Sequence, residues 1–249
     1  MDLRLLKEES LSQITKKEIY KYIKSMDINV SNKLLREEIL AEMLGVSRIT
    51  VRSALNELAT EGIIFRRQGK GTFVNKEALL MKVSLNPIGD LKQVIIDSGY
   101  EVDVKIANIT TRQGSEDETN KLQIKPKSKI LVIEKIFYAN NKPAIYSIDR
   151  IAEELFDKDI QKKELELSIF ELSQKKLGRK IIWDKVELST VTSEENAILK
   201  KSFQIEGVKS FLNCDIVNFD DHDIPIIYTN EYINTGIIRF NLIRQKNFL

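Results

Sequence analysis

Residues 33–74 read KLLREEILAEMLGVSRITVRSALNELATEGIIFRRQGKGTFV. Residues 36–44 predict a short helix with Ile39, Leu40, Met43 and Leu44 turned inward, and Gly45 ends it, as glycine does at a helix C-terminus. Ser47 is a good N-cap for a second helix over 47–61. There Val51, Ala54, Leu55 and Leu58 recur at i, i+3, i+4 and i+7 and face a core. Arg48, Arg52 and Asn56 are spaced by four and share the outer face with Ile49 and Ser53. Gly62 ends this helix. Two β-rich runs then flank the turn Gln68-Gly69-Lys70-Gly71, which reads as a hairpin.

Two helices joined by a short turn, the second with a basic outer face, make a helix-turn-helix. The second helix suits the major groove of DNA, about 12 Å wide. Ser47, Arg48 and Thr50 would stand nearest the bases and phosphates, with Arg bonding guanine O6 and N7 and Ile49 meeting a thymine methyl. The helix N-terminus adds N–H groups for a phosphate. The hairpin is then a wing: Gly69 and Gly71 let the backbone approach closely, and Lys70 brings charge to the tip. Upstream, Ile19, Tyr22, Ile23 and Met26 form the apolar stripe of a helix over 11–25. The same residues also allow a helical bundle with merely solvated charges, or a winged helix that binds protein.

Charge favours the DNA reading. The chain of 249 residues holds 39 Lys and Arg against 37 Asp and Glu, a net of +2. All of the local surplus lies in residues 44–76, where Arg48, Arg52, Arg66, Arg67, Lys70 and Lys76 face only Glu57 and Glu61. Apolar residues make up 42% and charged residues 31%, with 10 Gly and 4 Pro, the composition of a globular protein of about two domains. One Cys (Cys214) and one His (His222) exclude an internal disulfide and any Cys/His zinc cluster. No cofactor or metal site is expected. The N-terminus does not read as a signal peptide, and no apolar run reaches the roughly 18 residues of a membrane span. A cytoplasmic location is expected.

The stretch Lys33 to Val74 resembles the DNA-binding domain of GntR-type bacterial transcription regulators. The shared residues are Leu40-Ala41, Leu44 to Arg48, Thr50-Val51-Arg52, Ala54-Leu55, Leu58, Glu61-Gly62 and Gly69-x-Gly71-Thr72-Phe73-Val74. The resemblance implies that Ser47, Arg48, Thr50, Arg52 and the turn Gly69-Lys70-Gly71 contact operator DNA. One departure stands out. Where the family has Leu-Pro-Ser-Glu-Arg, this chain has Leu34-Leu35-Arg36-Glu37-Glu38, so Leu35 replaces the proline and Glu38 the arginine.

The domain division expected is 1–76 for the winged helix-turn-helix, 77–88 for a linker and 89–249 for a second domain. In that second part, 89–98 reads as a helix with Asp90 near its start and Gly99 after it. Strands are expected at 101–111, at 129–138 and 144–149 around an Asn140-Asn141 turn, at 181–191, at 208–219 and 224–233 around Asp220–Asp223, and at 236–245. Helices are expected from Ser168 to Gly178 and after Thr192, each opened by a capping box. Mostly antiparallel strands with interspersed helices make an α+β domain.

This part resembles the UTRA effector domain of the HutC subfamily, related in fold to chorismate lyase, through Pro143 after its Asn-Asn turn, Ser168-Ile169-Phe170-Glu171-Leu172, and Asp220 to Pro225 followed by Tyr228 and Tyr232. The resemblance implies a small metabolite bound between sheet and helix, with Lys135, Ser168 and Tyr228 as candidate contacts. An acidic Asp90 near a helix start disfavours a phosphate there. Cys214 reads as a strand residue, His222 as a solvated turn residue and Trp183 as a packed aromatic. The reading as a whole is a homodimeric, effector-controlled regulator of double-stranded operator DNA, more a repressor than an activator and not an enzyme. The alternatives are a catalytic lyase-like domain and a protein-interaction module.

Overall fold

The computed structural model describes residues 10–80, 83, 90–156 and 162–243. It divides into two units, Met1–Pro87 with Phe240–Leu249, and Ile88–Arg239. In the first unit, Ser10 opens α1 (Leu11–Ser25) with a reciprocal capping box to Gln13. Arg36 precedes α2 (Glu37–Leu44), and Gly45 ends it in the left-handed conformation at φ 64°. Ser47 caps α3 (Arg48–Thr60), its hydroxyl accepting the Thr50 N–H at 3.1 Å. The wing pairs β1 (Ile64–Arg67) with β2 (Gly71–Val74), and residues 32–34 dock alongside through Leu34 N to Thr72 O and Val74 N to Asn32 O.

The core of this unit holds Ile19, Ile23, Leu40, Val51, Ala54, Leu55, Leu58, Ile64 and Val74. The stripe expected in α3 is buried residue for residue. That expected in α2 is not: Leu40 and Ala41 are buried, whereas Ile39 and Met43 are exposed. Residues 39, 40, 43 and 44 straddle two adjacent stripes of a two-turn helix, and packing against α3 selected the one that includes Ala41. The expected linker falls mostly outside the described residues, and its first part belongs to α4 (Lys76–Leu80).

The second unit is one antiparallel sheet in the order β3-β4-β5-β8-β7-β6. Its strands are β3 (Val102–Gln113), β4 (Lys129–Ala139), β5 (Lys142–Ala152), β6 (Trp183–Thr192), β7 (Ser210–Phe219) and β8 (Pro225–Ile233). Its helices are α5 (Leu91–Asp97), α6 (Glu116–Lys121), α7 (Ile169–Lys176) and α8 (Ala197–Ser202). Alternation along each strand gives the sheet two faces. Tyr146, Ile148, Val217 and Tyr228 pack with Leu199 and Phe203 around α8, while Ile133, Ile151 and Ile227 pack with Leu165 and Leu172 around α7.

Two expectations need correction, and one helix was not expected. Of the strand expected at 236–245, the described residues 236–243 form none: the Asn234 carbonyl accepts the N–H groups of Ile237 and Ile238 and its side chain accepts that of Gly236, which turns the chain out of the sheet. The reciprocal Thr192–Glu195 bonds close a turn, and α8 starts later with Asn196 as its cap. Sequence reading also passed over α6, because Glu-Asp-Glu-Thr-Asn-Lys carries no apolar stripe.

Candidate functional site

Around α3 the polar surface is dense. Arg48 and Arg52 are the most exposed charged groups of its outer face, with side chains 65% and 63% accessible. Both are held by the acidic start of α2. Arg52 donates to Glu37 through Nε at 3.0 Å and lies 2.9 Å from it through Nη2, and Arg66 approaches the same carboxylate at 3.5 Å. Arg48 lies 3.2 Å from Glu38. Exposed pairs of this kind contribute only about 0–1 kcal/mol each, so they pre-position the guanidinium groups without locking them. Ser47 and Thr50 share a hydroxyl contact of 2.8 Å at the head of the same helix. Ile49 stands free at 79% exposure.

Lys70 occupies the exposed wing tip between Gly69 and Gly71, whose φ values of 68° and 111° only glycine adopts readily. A Cβ on Gly71 would also come within 3.2 Å of Lys33 Cε. Phe65 and Phe73 stack at 5.9 Å across the wing, with the Arg67 guanidinium 5.1 Å from both rings. All seven residues expected to meet DNA therefore fall on α3, its cap or the wing tip of one unit. Glu37, which holds two of the arginines, matches the Glu of the family's Leu-Pro-Ser-Glu-Arg, but its role as their partner was not read from the sequence.

The second unit has a pocket on the sheet face that carries Ser147, Asp149, Asn218 and Glu231. The N-caps of α5 and α7, Asp90 and Ser168, close one side, and Asp184 of edge strand β6 lies at another. The Asp90 carboxylate accepts the Lys92 N–H at 2.8 Å, and the Ser168 hydroxyl accepts that of Glu171 at 3.2 Å. Glu231 pairs across the ladder with Ser147 on one side and Cys214 on the other. Burial pushes the Glu231 carboxyl up to about 8, with the Asp149 and Asp184 carboxylates adding to it. Burial likewise pushes the Cys214 thiol up to about 12, so it stays a neutral buried strand residue.

The three expected effector contacts are not brought together. Ser168 lines the pocket. Lys135 is buried behind it, donating to the Leu167 carbonyl at 2.8 Å and lying 3.6 Å from Asp149 Oδ2. Tyr228 lies on the other face of the sheet, three residues from Glu231, an odd step that reverses the side. Its hydroxyl donates to Asp215 at 2.8 Å and accepts from Lys121 at 3.1 Å, while the Arg150 guanidinium covers its ring at 4.7 Å. Arg150 in turn joins Glu118, whose carboxyl is held down to about 2 chiefly by its bonds from Arg112. Tyr228 thus belongs to a packed, satisfied network. The Asp220–Asp223 turn is likewise internal: Asp220 accepts from His222 N, Ile224 N and Arg179. Trp183 stacks on Phe219 at 4.0 Å.

Comparison with known proteins places both units. Residues 11–74 match the gntR family of bacterial regulatory proteins, and residues 97–237, more than half of the chain, match the UTRA domain. The chain is a GntR-family protein with a UTRA domain. The HTH-type transcriptional regulator YurK of Bacillus subtilis is 32% identical over 124 residues, 50% of this chain and 50% of YurK. The HTH-type transcriptional repressor NagR of the same organism is 28% identical over 179 residues, 71% of this chain and 72% of NagR. The chain thus spans about half the length of YurK. The crystal structure of the possible regulator YydK of Bacillus subtilis shares the fold, with a TM-score of 0.72 at 22% identity, covering 95% of this chain and 99% of that one. No helix among the described residues is long and apolar enough to cross a membrane.

Proposed function

We propose that this GntR-family chain is a transcription regulator of the HutC type, a cytoplasmic repressor whose grip on operator DNA is set by a small metabolite in the second unit. The row of exposed arginines on α3 beside the Lys70 wing carries this reading. Arg48 and Arg52 meet base edges or phosphates, Ser47, Thr50 and the α3 N-terminus hold a phosphate, and Gly69-Lys70-Gly71 follows the groove. Ser168 and the carboxylates around Glu231 meet the effector.

The working form is a homodimer, because a two-fold pair of recognition helices reads a near-palindromic operator. Edge strand β6 supports this: Val186 and Leu188 are exposed along ten residues of unpaired edge, which a second copy would cover. Effector binding then favours one arrangement of the two heads over another.

A titration of the full chain against its own upstream DNA and a scrambled control, at two salt concentrations, tests the proposal. Preference for the upstream DNA, weakening as salt rises, is expected. Arg52→Ala is expected to lose that preference while melting like the parent, and normal binding by this variant would overturn the assignment.

A further inference from the structure

The pocket of the second unit is chemically one-sided. Among the described residues, four buried side-chain polar atoms lack a hydrogen-bond partner, and all four are acceptor oxygens. Three of them, Asp149 Oδ2, Asn218 Oδ1 and Glu231 Oε2, belong to residues of this one pocket. Their residues are 1%, 1% and 4% exposed. Asn218 is oriented by its own amide, which donates to the Ile227 carbonyl at 3.3 Å and leaves the oxygen as the unmatched end. Buried acceptors without donors are costly to a fold. Each of these oxygens can accept a hydrogen bond from a ligand's N–H or O–H group.

Charge says what kind. Among the described residues, Asp90, Asp149, Asp184 and Glu231 line the pocket and no basic side chain does. The nearest cation, Lys135, spends its shortest bond on the Leu167 carbonyl and lies beyond hydrogen-bond distance of Asp149 Oδ2. A phosphate or carboxylate would meet the carboxyl groups of Asp90, Asp149 and Asp184, with Lys135 beside Asp149 as the counter-charge. A metal ion also fits poorly: among the described residues, only Asp220, Asp221 and His222 bring three ligand atoms within 4.8 Å of one another, and none of them lines the pocket. The pocket carboxylates are spread across α5, β5, β6 and β8, which suits a cation carried on an organic frame.

We propose that the effector is a small organic cation, an amine or guanidine, whose charged N–H groups seat on Glu231, Asp149 and the Asn218 carbonyl oxygen, with Asp184 at the mouth. This rests on the regulator reading above and adds the chemical class of its ligand. Binding releases a proton from Glu231, because the entering cation favours the carboxylate. The groups that tune this step are Asp149 and Lys135 from β5 and β4, Asp184 from β6, Cys214 from β7 and Asp90 from α5.

Calorimetry on the full chain tests it with two matched probe sets: putrescine, butanediol and succinate, and glucosamine, glucose and glucose phosphate. At least one amine is expected to bind about tenfold tighter than its neutral counterpart, with no binding by the anions. In two buffers of unlike ionisation heat, that amine is expected to show net proton release. Glu231→Gln is expected to erase the preference, and Asp184→Asn, on edge strand β6, to weaken it without unfolding the chain. Failure of both amines, equal or tighter binding of an anion, absence of proton release, or an undiminished preference in a folded Glu231→Gln variant would each overturn the ligand class. Operator binding is measured separately, so an intact operator preference with no amine preference removes this inference alone, and loss of operator preference removes the regulator reading alone.

Discussion

The proposed recognition face and the proposed effector pocket both set carboxylates to work, in opposite ways. On α2 and α3, Glu37 and Glu38 are matched to Arg52, Arg66 and Arg48 across an exposed surface. In the pocket, Glu231 and Asp149 are buried with an oxygen each left unmatched. Water makes the first arrangement nearly neutral in energy, so DNA phosphates can take the place of the glutamates at little cost. Burial makes the second expensive, so the site gains most when a ligand supplies the missing donors. An exposed pair is exchangeable, whereas a buried unmatched acceptor selects its partner.

The largest test of this contrast is on the exposed side. Arg48→Ala combined with Arg52→Ala is expected to weaken operator binding at least about thirtyfold, at about 1–3 kcal/mol for each base-edge arginine. Anisotropy titration reads it, and an unchanged thermal midpoint would show that these arginines contribute to recognition rather than to folding.

The buried side is broken by pH. The Glu231 carboxyl lies near 8 in the folded chain, far above its ordinary value of 4.5. Its favourable contribution is therefore complete below about 4.5 and is lost as pH rises through about 8. Glu231→Gln does not titrate. The unliganded variant is expected to melt higher than the parent, with a gap that widens from pH 5 to pH 8 by about several degrees. A constant gap would mean that Glu231 is not held protonated.

A smaller effect sharpens the exposed side again. Glu38→Arg removes the partner of Arg48 and adds a cation beside it. About tenfold tighter DNA binding at low salt is expected, with a steeper salt dependence that shrinks the gain as salt rises. The smallest expected effect is at the wing. Lys70→Ala is expected to weaken binding only about two- to fivefold, equally on all sequences, and to lower the salt slope by about 1.

Much of this was legible before the fold was known. The heptad-like stripe of α3, its Ser47 cap and the Gly69 and Gly71 turn are local, and each depends on residues within a few positions of one another. The α2 stripe was misread because eight residues contain two equally apolar faces and only contact with α3 chooses between them. Lys135, Ser168 and Tyr228 lie on β4, at the start of α7 and on β8, yet the odd step from Tyr228 to Glu231 puts Tyr228 on the sheet face opposite the pocket.

By itself the sequence determined the winged helix-turn-helix, the basic surplus over residues 44–76 and the antiparallel character of the second unit, because periodicity, caps and turns act over short spans of chain. Tertiary structure alone decided that Asp90, Asp149, Asp184, Asn218 and Glu231 share one pocket and that Glu37 holds both Arg52 and Arg66. Those residues lie tens of positions apart, and only the register of β5, β8, β7 and β6 brings the pocket acceptors to one face. No local rule sets that register: it follows from which side of each strand the two cores bury.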